Sequence, residues 1–365
     1  MNADERIDEL KATAYTIPTS EPESDGTLKW NSTTLVLVEI SGMGKKGIGY
    51  TYAHSATAHF INEHLKDIVV GLSPFDIGKI SDDILVSTRN EGNCGITRMA
   101  ASAIDGAVWD LKARIFDVPL CSLIGKTRNK IEVYGSGGFT CFPDDVLADR
   151  LGGWADYGFS SVKMKIGRKP NHDLKRVRIA HEAIGDEVQL FVDANGAYDA
   201  KQALSMAEKF NQYNVTWFEE PVSSDDADGL AFIRDHMPAP IRIAAGEYGY
   251  TVDYFLNMLR KGAVDVLQAD ATRCGGITGF MKTAAIAEAF HIPFSFHCAP
   301  ALHLHASLCV PNFYIGEYFY DHMRIENIFF EGAPKPVNGY LEADLSQPGL
   351  GLIFKYQDAE QYLVS

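Results

Sequence analysis

The chain has 365 residues, 46% of them apolar, and carries a formal net charge of −15. That length suits a barrel with one additional domain, and the apolar fraction is ordinary for a globular protein. The acidic balance excludes the basic face that nucleic acids and anionic membrane surfaces require, although an anionic substrate still fits if the pocket itself holds cations.

The opening MNADERIDEL is acidic and lacks an apolar core, so no secretory signal is expected. No apolar run reaches the roughly eighteen residues of a membrane span. Residues 6–17 and 33–40 alternate as strands, and 47–52 form a third. Between the first two, residues 19–32 are rich in Glu, Ser, Asp, Gly and Asn and read as a mobile loop. Helical spacing follows over 55–69 and 96–116, where Ile104, Val108, Leu111 and Ile115 recur at three- and four-residue steps. Strands first and helices after make residues 1–130 an α+β unit rather than a run of βα repeats.

From Ile131 the pattern changes. Strand-like runs stand at 131–135, 160–166, 189–193, 214–219, 241–246, 264–269, 292–297 and 312–317, separated by helices such as Lys201–Tyr213 and Ile277–Phe290. Eight strands with intervening helices predict an α/β parallel barrel over residues 131–339. The glycine-rich stretch Pro348–Leu352 breaks the pattern, so residues 340–365 are expected to return to the N-terminal unit. Six cysteines (94, 121, 141, 274, 298 and 309) lack CxxC spacing, which disfavours a zinc or disulfide framework and points to a reducing cytoplasm.

The barrel half carries a ladder of ionisable residues. From Lys165 the steps to Asp193, Glu219, Glu247, Asp270, His297 and Glu317 are 28, 26, 28, 23, 27 and 20 residues. One strand, one helix and two short loops occupy about that much chain. One group per unit, each at a strand end, is how such a barrel builds an active site. Asp193, Glu219 and Glu247 each close an apolar strand. Three carboxylates converging at one height repel unless a divalent cation joins them, and all-oxygen ligation favours Mg²⁺.

Lys163 and Lys165 share one face of their strand by period two. One lysine can neutralise a substrate carboxylate. The other, its pKa lowered by its neighbour and by burial, can act as a base. His297 follows Asp270 by one unit, and a carboxylate beside an imidazole orients it and raises its basicity. Glu317 is placed to hydrogen-bond a substrate oxygen, and Asn195 a substrate hydroxyl. Glu220 and Arg273 are supporting candidates. Trp30, Tyr50 and Tyr52 flank the N-terminal loop, and Trp30 and Tyr52 are taken as substrate contacts. His303 and His305 diverge on a helix and read as structural, and Gly275-Gly276 reads as a turn opening a helix.

Taken together, Val162-Lys163-Met164-Lys165, Val192-Asp193-Ala194-Asn195, Trp217-Phe218-Glu219-Glu220-Pro221, Gly246-Glu247, Gln268-Ala269-Asp270, Cys274-Gly275-Gly276, Phe296-His297 and Gly316-Glu317-Tyr318 resemble the mandelate racemase subgroup of the enolase superfamily. The stretch Ala103–Lys112 is similar to that family's capping-domain helix. The resemblance spans nearly the whole chain. It implies a modified TIM barrel, (β/α)₇β, under an α+β capping domain, with Mg²⁺ on Asp193, Glu219 and Glu247. It also implies removal of the proton α to a carboxylate through an enediolate, a chemistry for which a Lys or His base with Mg²⁺ is a known solution. Lys165 and the His297–Asp270 pair then stand on opposite sides of the α-carbon, with Lys163 adding positive charge.

The favoured outcome is dehydration of an aldonic or aldaric acid sugar to a 2-keto-3-deoxy acid. Racemisation or epimerisation of a 2-hydroxy acid and cycloisomerisation of a sugar-acid derivative are the alternatives within this class, and a non-catalytic metal-binding scaffold is the alternative outside it. The family also suggests a homo-oligomer.

Overall fold

The structure, a computed structural model, describes residues 5–364. Strands β1 (Ile7–Ser24), β2 (Lys29–Gly42) and β3 (Lys45–Tyr52) form an antiparallel sheet in that order. The run Leu35-Val36-Leu37-Val38 explains where this sheet sits. Its residues alternate in direction yet are all fully buried. Val36 and Val38 pack with Ile104, Val108 and Leu111 of the helix Ile96–Ile115. Leu35 and Leu37 join Tyr15, Tyr50 and Tyr52 in the core shared with the barrel. The sheet is therefore sandwiched between its own helices and the barrel below. A further helix, Ile77–Ser87, buries Ile77, Ile80 and Ile84 against the same group.

The segment 19–32 differs from the sequence expectation of a mobile loop. β1 and β2 continue through it, and the turn is confined to residues 25–28. Several of its polar residues are tied to fixed partners, although others along it stay exposed. Asp25 Oδ1 accepts from the backbone of Thr27 and Leu28, each at 2.6 Å. Trp30 Nε1 donates to buried Glu23 at 2.9 Å, and Arg150 pairs with Glu21. Arg168 of the barrel donates to the carbonyls of Asp25 (2.9 Å) and Leu28 (2.5 Å), pinning the hairpin tip.

Eight parallel strands follow: β4 (Lys130–Gly138), β5 (Ser161–Lys165), β6 (Gln189–Asp193), β7 (Val215–Glu219), β8 (Arg242–Ala245), β9 (Val266–Ala269), β10 (Phe294–Phe296) and β11 (Phe313–Phe319). Each falls on its expected run. They pair in chain order, and β11 closes on β4. The closed barrel with its helices and the N-terminal sheet-and-helix unit is the modified TIM barrel architecture. Its interior below the strand ends is filled by Tyr134, Phe191, Trp217, Ala244, Val266 and Ile315. Phe191 and Trp217 stack with ring centres 5.0 Å apart, so the barrel is a packed plug with its site on top.

The helix after β11, Tyr320–Phe329, joins barrel to cap. Thr33 Oγ1 donates to Asp321 and Tyr50 OH donates to Glu326, each at 2.5 Å. Strands β12 (Phe330–Glu331) and β14 (Ile353–Phe354) then pair with each other, while β13 (Tyr340–Glu342) adds antiparallel to the start of β4. The C-terminal tail reaches the cap sheet, where Val364 N donates to Ala14 O at 2.9 Å. Of the returning segment, residues 340–342 thus stay with the barrel.

Candidate active site

Register sets the site. Lys165 pairs with Asp193, and Asp193 with Glu219, so these three stand at one height. Phe191 and Trp217, two residues earlier, point the same way one layer down and form the floor. Trp217 Nε1 donates to Glu219 Oε2 at 2.9 Å, and Gln268 adds a second donor at 3.1 Å. Asp270 and His297 directly follow β9 and β10, Glu247 comes two residues after β8, and Glu317 lies within β11. The eleven residues given a catalytic, metal or substrate role from the sequence lie at this end of the barrel or on the wall above it.

A cavity of about 470 Å³ opens between barrel and cap. Lys165, Asn195, Glu247, His297 and Glu317 line it from below, and Trp30 and Tyr52 from above. Asp193, Glu219 and Asp270 are buried just behind these side chains. Lys163, expected to add positive charge, does not line the cavity. It is fully buried, with Nζ 2.6 Å from Glu219, 2.9 Å from Glu317 and 3.7 Å from Asp193.

Asp193, Glu219 and Glu247 are at most 2% exposed, and each offers an oxygen within 4.8 Å of the others. The electrostatics of the trio suit a bound cation. Burial, then Asp193 and Glu317, push the Glu219 carboxyl well above the usual range against the pull of Lys163. Glu247 Oε2 and Asn195 Oδ1 are buried without a hydrogen-bond partner. His297 Nε2 lies 3.1 Å from that Glu247 oxygen, but out of hydrogen-bond alignment. An all-oxygen, anionic, incompletely satisfied trio is a donor set suited to Mg²⁺.

The lysine expected to have a lowered pKa shows the reverse. Burial depresses the Lys165 ammonium, but Asp193, Glu247 and Glu219 together outweigh both burial and Lys163, and the net shift is upward. Lys165 Nζ donates to Asp193.

On the other side, His297 Nδ1 lies 2.8 Å from Asp270 Oδ2. Burial alone would raise Asp270, yet the His297 hydrogen bond and Arg273 hold it well below the carboxylate range. An ionised Asp270 takes the Nδ1 proton as acceptor, which leaves Nε2 to the cavity. Arg273 donates to the Glu247 carbonyl at 2.9 Å, and Glu220 is buried beside the acidic trio. His303 is structural as expected: its Nε2 accepts from Ala271 N at 2.8 Å and its Nδ1 meets the Cys298 carbonyl at 2.9 Å. Gly275-Gly276 is a docking point, where side chains would collide with Arg98 and Asp105 of the cap helix.

Sequence reasoning missed several neighbours. Gln268, two residues before Asp270, and Ser136, which donates to Glu317 at 2.7 Å, were findable by period two. His322 was not, because its helix brings it under Tyr52, whose ring stacks on it at 3.5 Å. Burial, then His297, holds the His322 imidazole down to about 3, so it is neutral.

The description "Mandelate racemase / muconate lactonizing enzyme, N-terminal domain" matches residues 13–125, and "Enolase C-terminal domain-like" matches residues 146–359. The chain belongs to the mandelate racemase/muconate lactonizing enzyme family of the enolase superfamily. Among solved members, a mandelate racemase/muconate lactonizing enzyme-like protein from Rubrobacter xylanophilus superposes with a TM-score of 0.96 at 46% identity, covering 98% of this chain and all of that one. The L-talarate/galactarate dehydratase of Salmonella typhimurium LT2 is 32% identical over 84% of this chain and 80% of its own. Its structure with Mg and L-lyxarohydroxamate gives a TM-score of 0.90, at 29% identity, over 99% of this chain and 93% of that one. A 3,6-anhydro-α-L-galactonate cycloisomerase from Streptomyces coelicolor is 31% identical over 84% and 86%. The family's acid-sugar dehydratases thus sit beside cycloisomerases. Among the described residues no helix is long and apolar enough to cross a membrane.

Proposed function

We propose that this protein is a Mg²⁺-dependent acid-sugar dehydratase, converting an aldonic or aldaric acid to a 2-keto-3-deoxy acid. The observation that carries the reading is one cavity lined by Lys165 and by His297 backed by Asp270, with the Asp193–Glu219–Glu247 trio beside it. The Salmonella relative, with its bound Mg and hydroxamate, supports both the cation and the substrate class.

Asp193, Glu219 and Glu247 would hold Mg²⁺, which when bound would supply a Lewis acid for charge developing on the substrate carboxylate. The chain's own groups handle the protons. Lys165 exchanges the α-proton on one face of the substrate. His297 Nε2 exchanges a proton on the other, its ring fixed by Asp270. One of the two removes the α-proton as base, and a protonated partner releases the β-hydroxyl as water. Glu317 hydrogen-bonds the reacting end, and buried Lys163 holds Glu219 and Glu317 in place while lending positive charge. Asn195, Trp30 and Tyr52 contact the hydroxylated chain. The cap wall offers Ser32, Thr33 and Thr34 along with Trp30, a surface suited to hydroxyls.

Incubation with stereoisomeric aldonates and aldarates plus Mg²⁺, read by a 2-keto-acid assay, tests the reading. Product from at least one sugar is expected. Exchange of the α-proton in D₂O with no keto acid from any sugar would move the assignment to a racemase or cycloisomerase, and neither exchange nor product would leave a non-catalytic protein.

The same proposal takes residues 1–130, joined by the tail of 340–365, as the cap and 131–339 as the catalytic unit. It sets the protein in the cytoplasm as a homo-oligomer. All six thiols are free, four of them buried, as a reducing compartment allows. A monomer mass by light scattering would overturn the assembly.

A further inference from the structure

Directly beside the oxygen trio lies a cluster of different chemistry. Cys298 Sγ is 3.2 Å from His297 Nε2 and 3.3 Å from Glu317 Oε2. His297 Nε2 and Glu317 Oε2 are 3.8 Å apart. All three residues are buried at the base of the cavity. Around a tetrahedral zinc ion, one nitrogen, one thiolate and one carboxylate oxygen sit about 3.3–3.7 Å from one another, given the usual bond lengths. The three atoms already match that spacing to roughly half an ångström, so small side-chain shifts would let them close on one ion.

Each ligand is also held from behind. Asp270 accepts from His297 Nδ1, the carboxylate–histidine pairing that metal-bound imidazoles use. Ser136 and Lys163 fix the other oxygen of Glu317, at 2.7 and 2.9 Å. Cys298 sits at φ 51°, a left-handed conformation that a non-glycine residue adopts only where its surroundings enforce it. Here the backbone N–H of Cys298 donates to Glu317 Oε2 at 3.1 Å, holding the thiol over that carboxylate. Three protein ligands with a fourth position open to the cavity is the layout of an accessible zinc site. The oxygen trio and this cluster differ in softness, so one prefers Mg²⁺ and the other a thiophilic ion.

We propose that His297, Cys298 and Glu317 form a second metal site, which takes a thiophilic divalent cation such as Zn²⁺ and silences the enzyme while Mg²⁺ stays on its own carboxylates. On binding, the Cys298 S–H bond is exchanged for an S–metal bond and the proton passes to solvent. The cation takes the Nε2 lone pair that proton transfer needs. The inhibition rests on the reading of His297 as an acid/base group, whereas the binding does not.

The test titrates the Mg²⁺-saturated, full-length protein with Co²⁺. One equivalent is expected to raise thiolate-to-cobalt charge-transfer absorption with visible bands of tetrahedral cobalt, and Zn²⁺ should displace it. Cys298→Ser should abolish the charge-transfer band, Cys94→Ser should leave it, and His297→Asn should weaken cobalt binding at least about tenfold. No such band in the wild type at saturating Co²⁺, or its persistence in Cys298→Ser, overturns the site, and the wild-type arm needs no variant to fold. In activity assays at fixed excess Mg²⁺, Zn²⁺ should inhibit, and Cys298→Ser should need at least about tenfold more Zn²⁺ for half-inhibition. Inhibition that added Mg²⁺ relieves in proportion is displacement from the oxygen trio and overturns the proposed silencing through this site. A cobalt–thiolate band in a protein that dehydrates no sugar would sink the dehydratase reading and leave the metal site standing.

Discussion

Glu219 is the residue on which the site turns. It takes hydrogen bonds from Lys163, Trp217 and Gln268, yet burial and two neighbouring carboxylates still hold its carboxyl well above the usual range. Glu219→Gln keeps the shape and removes the charge. Calorimetric Mg²⁺ affinity should fall at least about tenfold, turnover should vanish, and the rise in melting temperature that Mg²⁺ gives the wild type should disappear. Full activity in metal-free buffer would sink the Mg²⁺ reading. Lys165→Ala should leave the fold intact and cut α-proton exchange by about 10²–10⁴ for substrates of one α-configuration. Exchange persisting at the wild-type rate for both configurations, followed by NMR in D₂O, would remove Lys165 as a base. The acids at Asp193, Glu219 and Glu247 were legible in the sequence because each ends an apolar strand. His322 was not singled out, since what matters about it is which distant side chain it meets.

At the scale of elements, the barrel strands were readable because parallel strands buried on both faces produce continuous apolar runs. The hairpin of β1 and β2 misled for the opposite reason. Its acids and hydroxyls look solvated, but their partners, Arg150, Arg168 and Thr140, lie over a hundred residues away in the barrel. Gly26 shows how closely the tip is seated. A Cβ there would collide with the carbonyls of Ala194 and Ile166 and with the Ala197 side chain. Gly26→Ala should lift the tip from the loops after β5 and β6 and loosen the wall that carries Trp30. The expected result is a KM raised about tenfold, equivalent to about 1.4 kcal/mol, with the melting temperature nearly unchanged. An unaltered KM would show that the tip does not shape the substrate site.

For the molecule as a whole, the joint between cap and barrel contains buried acids. Burial and then Asp321 raise Glu23 from 4.5 to about 8, against the opposing Trp30 hydrogen bond and nearby arginines. Glu326, held by Tyr50 and Ala301, is raised by burial to about 8 as well. A carboxyl with a raised folded-state pKa contributes stability that is complete below its unfolded value and is lost as pH climbs through the folded one. Between about pH 5 and 8 each such group therefore costs stability, with a limiting slope near 1.4 kcal/mol per unit. Glu23→Gln can keep the Trp30 hydrogen bond and removes the titration. Its stability relative to wild type, from urea unfolding, should grow from pH 5 to 8 and level off above. A difference independent of pH would mean that Glu23 is ionised throughout.

The groups that move protons stand on strand ends of the barrel, while much of the wall facing them is drawn from the one hairpin that Arg168 holds down. Inheritance can therefore act on the two separately. A short run of codons between Asp25 and Thr34 can drift toward a new sugar while the ancestral reaction passes on unaltered, and a lineage carrying this gene can change its diet before it changes its chemistry.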